Sequence, residues 1–280
     1  MRGLLSQATW VAVALACLCL ANDPARAGGI STDGGITPAQ DRVVVRSRMA
    51  YLHRADSWGA DNHTDLYMFP LVAAWGVLPE LTVMGKAAWA HRSMAMMGKS
   101  TSDSGVADAL VQVKYKLYRY NSRRHVFAAA PTLGVEVPTG MEPFSSDTWD
   151  LRMGAHLSYR YNRSAADLTA AYLWNGILSG ETATAPASEA EATMALSHVF
   201  AWPGYSRLAI VPVLEVSANV SGMGQSKHPT GAVTNIAPGF KVILRQVIFE
   251  ALVQIPVWQE KGQDALEQRM GVVSGVRFLF

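Results

Sequence analysis

The last ten residues, Gly271-Val272-Val273-Ser274-Gly275-Val276-Arg277-Phe278-Leu279-Phe280, decide the reading of the whole chain. Together with Met270 they alternate. Met270, Val272, Ser274, Val276, Phe278 and Phe280 share one face of a strand, and Gly271, Val273, Gly275, Arg277 and Leu279 the other. An apolar strand capped by aromatics is unexpected at a chain end, where order is ordinarily lost. It has a physical reason if this strand is the seam of a closed barrel, paired with the first strand so that no edge faces hydrocarbon.

Composition agrees with that geometry. The 280 residues are 50% hydrophobic and 16% charged, against about 25% charged in ordinary soluble domains. Past the N-terminus no run approaches the ~18 consecutive apolar residues of a membrane helix, so strands must do any spanning. The N-terminus itself has Arg2, an apolar run from Trp10 to Ala21 and the small-x-small triplet Ala25-Arg26-Ala27, the pattern of a signal peptide over residues 1–27. A lipid-anchor reading at Cys17 is disfavoured by Ala14 at the position where Leu is expected. Cys17 and Cys19 both fall in this segment, so the processed chain has no thiol for a disulfide or a metal. Processing also removes Arg2, Asp23 and Arg26 and takes the formal charge from +2 to +1, which gives nucleic acid no electrostatic footprint. Three parts are therefore expected: a signal peptide (1–27), a short exported leader rich in Gly, Ser, Thr and Pro (28–40), and a barrel (41–280).

Period-two patterning predicts twelve strands, at 41–54, 65–77, 80–93, 106–118, 124–137, 148–161, 165–175, 188–200, 206–220, 233–245, 247–258 and 268–280. The links between them alternate in kind. The first, third, fifth, seventh, ninth and eleventh are long and polar or Gly-rich (ADSWGADNHT, SMAMMGKSTSDSG, PTGMEPFSSD, GILSGETATAPAS, SGMGQSKHPTGA and QEKGQDALEQ), and the others are short. An even strand count with short turns at one end and long loops at the other is the rhythm of a transmembrane antiparallel up-and-down β-barrel, both chain ends periplasmic. Facing follows from the alternation. In the sixth strand Leu151, Met153, Ala155, Leu157, Tyr159 and Tyr161 oppose Asp150, Arg152, Gly154, His156, Ser158 and Arg160. In the fourth, Val111, Val113, Tyr115 and Leu117 oppose Gln112, Lys114 and Lys116. Such strands put apolar residues toward lipid and polar residues toward the lumen. Aromatics near strand ends, among them Tyr51, Trp75, Trp89, Tyr118, Tyr159, Tyr161 and Trp258, suit the two bilayer interfaces.

Three stretches carry a family resemblance: AWGVLPELTVMGKAAW (74–89), SGVADALVQVKYKLYR (104–119) and PTLGVEVPTG (131–140). They resemble the outer-membrane β-barrel family of meta-pathway phenol-degradation proteins, many of whose members are called transporters. The likeness runs from about Asp41 to Phe280, with Ala107 where a second Gly usually precedes the Asp. It implies an outer-membrane barrel that passes small, often aromatic, molecules, and it implies no reaction.

The expected lumen is polar and leans basic: Arg42, Arg46, Arg48, Lys114, Lys116, Arg152, Arg160, Arg207, Lys241, Arg245 and Arg277, with His156, against Glu136, Asp150, Asp167, Glu189, Glu191, Glu215 and Glu250. Such a lining favours anions; a network of paired interior charges is the competing account. His91, Met94, Met96 and Met97 are soft donors that could suit Cu(I), but Met is more often apolar filler. His156 and Ser158 share a face two residues apart, a spacing that seldom makes a nucleophile and its base. No cofactor motif is present. The sequence thus predicts a passive channel or transporter for a small solute. Its expected partners are outer-membrane lipid and the barrel-assembly machinery, which would read Phe278 and Phe280 as a C-terminal insertion signal. A partner-binding barrel without transport is the alternative, and an outer-membrane enzyme is a third reading.

Overall fold

Alternating strands bounded by turn residues close on themselves as one antiparallel sheet. The computed structural model describes residues 29–56, 62–177, 188–201, 208–223, 231–261 and 266–280. In chain order the segments are β1 (Val43–Ala55), β2 (His63–Gly76), β3 (Leu81–Met96), β4 (Lys99–Val106), β5 (Ala109–Tyr115), β6 (Tyr118–Asn121), β7 (His125–Val137) and β8 (Asp150–Tyr161). They continue as β9 (Ser164–Trp174), β10 (Ser188–His198), β11 (Phe200–Ala201), β12 (Leu208–Met223), β13 (Gly231–Leu244), β14 (Val247–Lys261) and β15 (Glu267–Leu279). β4, β5 and β6 are successive pieces of one barrel strand and β10 and β11 of another, so the barrel has twelve strands and no helix among the described residues. The signal-peptide segment and much of the seventh, ninth and eleventh links lie outside the described residues.

Each strand pairs with its sequence neighbours, and β1 pairs with β15 from Val44↔Leu279 to Ala55↔Glu267. The last residue is part of that ladder: Phe280 N–H donates to Val43 O at 2.9 Å, and Val43 N–H to Phe280 O at 3.2 Å. Both ends of the barrel strands therefore sit at one rim, called here the terminal rim, which also carries the short turns at 77–80, 122–124, 162–163 and 245–246.

Burial inverts the soluble pattern. On β8, His156, Ser158 and Arg160 are buried while Met153, Leu157, Tyr159 and Tyr161 are exposed. The same holds on β5, where Gln112 and Lys114 are buried and Val111, Val113 and Tyr115 exposed. Only a hydrocarbon exterior makes this arrangement favourable. Aromatics pair across neighbouring strands on the outer face, as in half-buried Tyr51 with Tyr67 (4.9 Å between ring centroids) and exposed Phe69 with Trp89 (5.5 Å).

Two expectations are corrected. The third link is not a loop, because β3 and β4 stay paired out to Met96↔Lys99 and turn on Met97 and Gly98 alone. Both turn residues have positive φ (52° and 76°), the geometry of a two-residue hairpin turn whose twist matches its strands. Period-two polar residues in SMAMMGKSTSDSG were thus hairpin rather than loop. The lumen is also not polar throughout: Val211, Val213, Ile243, Ile248, Leu252 and Val273 form a buried apolar cluster on the inner wall of β12 to β15.

Between β4 and β5 the register on β3 slips by one residue, from Trp89↔Val106 to Lys86↔Leu110, a β-bulge at Ala107 and Asp108. The bulge frees the Asp108 carboxylate to hold the 138–147 loop. It accepts from Gly140 N–H (2.9 Å), Ser145 Oγ (2.8 Å) and Ser146 N–H (2.7 Å). Thr139 Oγ1 in turn accepts from Ala109 N–H at 3.1 Å. The Gly-x-x-Asp and Pro-Thr-Gly stretches singled out in the sequence are two halves of this one latch.

Candidate functional site

Residues 29–40 run inside the barrel rather than away from it. The segment enters beside β2 at the terminal rim, where Asp41 N–H donates to Gly76 O at 2.8 Å and Arg42 N–H to Ala39 O at 3.1 Å. From there it crosses the lumen to Gly29, touching strands around most of the wall. Gly34 and Gly35 are needed for this passage. A Cβ on Gly34 would lie 2.5 Å from Asp167 Oδ1 and Ser158 Oγ, and one on Gly35 would collide with the Ala128 carbonyl and stand 2.9 Å from His156 O. These paired glycines of the exported leader are what let the backbone pass this close to the wall.

Buried carboxylates hold the leader by its donors. Glu215 on β12 accepts through Oε1 from Ile30 N–H and Ser31 N–H (3.1 Å), and through Oε2 from Ser31 N–H (3.0 Å), Ser31 O–H and Thr32 N–H (3.3 Å). Asp167 on β9 accepts from Gly29 N–H at 3.0 Å, from Ser158 Oγ at 2.5 Å and from Arg160 at 2.8 Å. Cations hold the leader by its acceptors. Arg46 donates to Ile30 O, Lys114 to Gly34 O, Lys241 to Gly29 O at 3.0 Å and Arg277 to the same oxygen at 3.4 Å. Thr169 Oγ1 donates to Asp33 O at 2.5 Å.

The wall charges are organised around Glu250. Its carboxylate takes Arg46 at 2.5 Å, Arg277 at 3.2 Å and Arg48 at 3.8 Å. One carboxylate among three guanidinium groups leaves positive charge uncompensated. Some of it falls on the leader's Asp33. Burial alone would raise the Asp33 carboxyl, but Lys114, His156, Arg46 and Arg48 outweigh it and hold the group down at about 2.

The sequence-selected residues divide accordingly. Arg46, Arg48, Lys114, His156, Arg160, Lys241, Glu250 and Arg277 surround the leader, whereas Arg152 is farther along β8, paired with Glu191 on β10 at 2.8 Å. Lys116 bends to Pro79 O at the terminal rim. Arg245 is an exposed residue of the β13–β14 turn with φ 56°, and Arg42 is exposed at the start of β1, so neither stands on an inward strand face. Arg207 is outside the described residues. Phe278 and Phe280 are in the seam, their rings stacked 6.3 Å apart. His156 is fixed by Thr132 (3.1 Å) and Thr169 (2.9 Å), and Ser158 by Asp167, so the two are not joined as nucleophile and base. His91 stacks on Trp89 on the outer face, Met94 and Met96 fall on the opposite face of β3, and Met97 is at the hairpin tip; these donors do not converge. What sequence reasoning missed was the destination of residues 29–40 and hence the role of Glu215 and Asp167. The available signal was a run of donors, GGISTDGG, preceding a barrel with inward acids.

A closed sheet of twelve antiparallel strands, apolar outside and hydrogen-bonded inside, is a β-barrel of the outer-membrane type. A family model described as "Putative MetA-pathway of phenol degradation" matches residues 57–264, and the chain belongs to that family. Among solved structures it is similar to the COG4313 outer membrane channel from Pseudomonas putida F1, at 13% identity and a TM-score of 0.63, covering 91% of this chain and all of that one. It is also similar to the β domain of the Bordetella autotransporter Brka, at 10% identity and a TM-score of 0.53, covering 86% of this chain and all of that one. Both likenesses concern the fold. No curated protein matches this chain.

Proposed function

We propose that this protein is a passive outer-membrane channel for small anionic solutes, closed at rest by its own residues 29–40. The observation that carries the proposal is the leader's mode of attachment: its backbone carbonyls accept hydrogen bonds from Arg46, Lys114, Lys241 and Arg277 on the wall. A segment held by hydrogen bonds and one apolar side chain, and joined to the wall only where it continues into β1, can leave without unfolding the barrel. Its departure exposes a basic lining that favours anions. The family membership and the fold shared with a Pseudomonas putida protein described as an outer membrane channel support this reading. In this account residues 1–27 direct export and are removed after Ala27, the terminal rim faces the periplasm, and β15 carries the signal read by the assembly machinery.

The test is planar-bilayer recording from purified, heat-modifiable protein with and without residues 29–36. Deletion raises the current, and reversal potentials under a salt gradient show anion preference that Lys114→Glu weakens. Absence of current from the deleted form, or cation preference in it, refutes the proposal.

A further inference from the structure

We infer that the tip of the leader sits in a preformed site for an amphiphilic anion, a solute with one negative head on a compact apolar body. This names the solute class for the channel proposed above and rests on that reading. Ile30 is fully buried against the apolar inner wall formed by Val211, Val213, Ile243, Ile248, Leu252 and Val273. Room for it is made by Gly239, where a Cβ would stand 3.1 Å from Ile30 Cδ1. The rest of the inner wall carries charged, hydroxyl and amide groups with small apolar residues such as Ala88, Ala90 and Ala128 between them, and a wall of large aliphatic side chains has no use as a water-filled path. It gains from a partner that removes its surface from water.

Beside this wall stand the cations. Arg46 donates to the carbonyl of Ile30 itself, and Lys241 and Arg277 to that of Gly29. Arg46 and Arg277 share Glu250, but Lys241 is buried and has no ion pair among the described residues. Its partner is a neutral amide oxygen. Hydrogen bonds to an ionised acceptor are roughly twice as strong as those to a neutral one, so a carboxylate head is a better partner for Lys241 than the leader is. A solute whose head takes the place of the neighbouring Gly29 and Ile30 carbonyls, and whose body takes that of the Ile30 side chain, competes with the leader on both counts, and its entry displaces the closing segment.

Three probes separate the contributions: 3-methylpentanoate carries both parts, acetate the head alone and 3-methylpentanol the body alone. In bilayer recordings of the intact processed protein, 3-methylpentanoate raises open probability at a concentration at least tenfold below that needed with acetate, and the alcohol has no effect. Lys241→Met and Val213→Thr each shift the 3-methylpentanoate requirement upward by several fold. Equal potency of the two carboxylates, activity of the alcohol, or indifference to both substitutions overturns the inference. Thermal unfolding of the form lacking residues 29–36 keeps the two proposals apart, with Glu215→Ala as the substitute if that form does not fold. An opened barrel that passes current but is stabilised equally by both carboxylates overturns the site alone. One that is stabilised selectively by 3-methylpentanoate yet passes no current overturns the channel and leaves the site.

Discussion

Glu215 is the residue on which closure turns, and Glu215→Gln measures it. The carboxylate answers four donors of the leader, three of them backbone N–H groups with no freedom to re-aim. In the amide one oxygen becomes an NH₂ group, which cannot accept and which faces donors. Turned one way the amide orphans Ile30 N–H, and turned the other it orphans Thr32 N–H and the Ser31 hydroxyl, while Ser31 N–H keeps an acceptor either way. The amide takes the orientation that loses least, and one such loss costs about 1–3 kcal/mol, which is the weakening of the closed form. At 1.4 kcal/mol per factor of ten this raises the open-to-closed ratio by roughly 5-fold to 100-fold. Single-channel recording reads that ratio directly as open probability, and unchanged heat-modifiability confirms that the barrel is intact. The barrel should tolerate the change, because a lumen left by the leader admits water to whatever polar group remains. If Glu215→Gln keeps the open probability of the parent protein while deletion of residues 29–36 raises it, Glu215 does not hold the leader, and the mode of attachment described above is wrong.

Further expectations come from other parts of the molecule. With its carboxyl at about 2 inside the barrel and at the ordinary 3.8 once released, Asp33 favours closure fully above pH 4 and loses that contribution as pH falls through 2. Asp33→Asn at neutral pH therefore raises open probability, by roughly 2 kcal/mol of lost attraction, and a variant indistinguishable from the parent at pH 7 would remove Asp33 from the closure. Deleting Phe280 removes its pairing with Val43 and the end of the β1–β15 seam; heat-modifiable barrel levels should fall sharply while molecules that do fold conduct as before, and normal levels would contradict this. Asp108→Ala orphans the N–H groups of Gly140 and Ser146 along with the Ser145 hydroxyl, while the Ser146 hydroxyl keeps Asp150. It should make the 138–147 loop a protease site with the sheet intact, and a loop as resistant as the parent's would show that the latch is dispensable.

The strands were legible because a barrel in lipid leaves the plainest local record a sheet can leave. Each of Leu151 to Tyr161 must answer hydrocarbon or lumen by its own side chain, so the alternation survives in the sequence with its phase. SMAMMGKSTSDSG was misread for a related reason: a hairpin reaching past the bilayer no longer needs apolar outer residues, and its strands then look like loop. His156 and Lys114 could be placed inside by phase alone, yet nothing local says that they meet the leader.

The sequence by itself determined the strand count, the closure through the C-terminal strand and the inward phase of residues such as Lys114 and His156, since these depend on period-two patterning and on the cost of an open edge in hydrocarbon. Only the tertiary structure decided where residues 29–40 go and which inward residues converge on them. Glu215 lies 185 residues from Ile30 and Lys241 lies 212 from Gly29. Contacts at that separation are fixed by how the sheet curls and staggers into a cylinder, a property of the whole ladder that no single strand encodes.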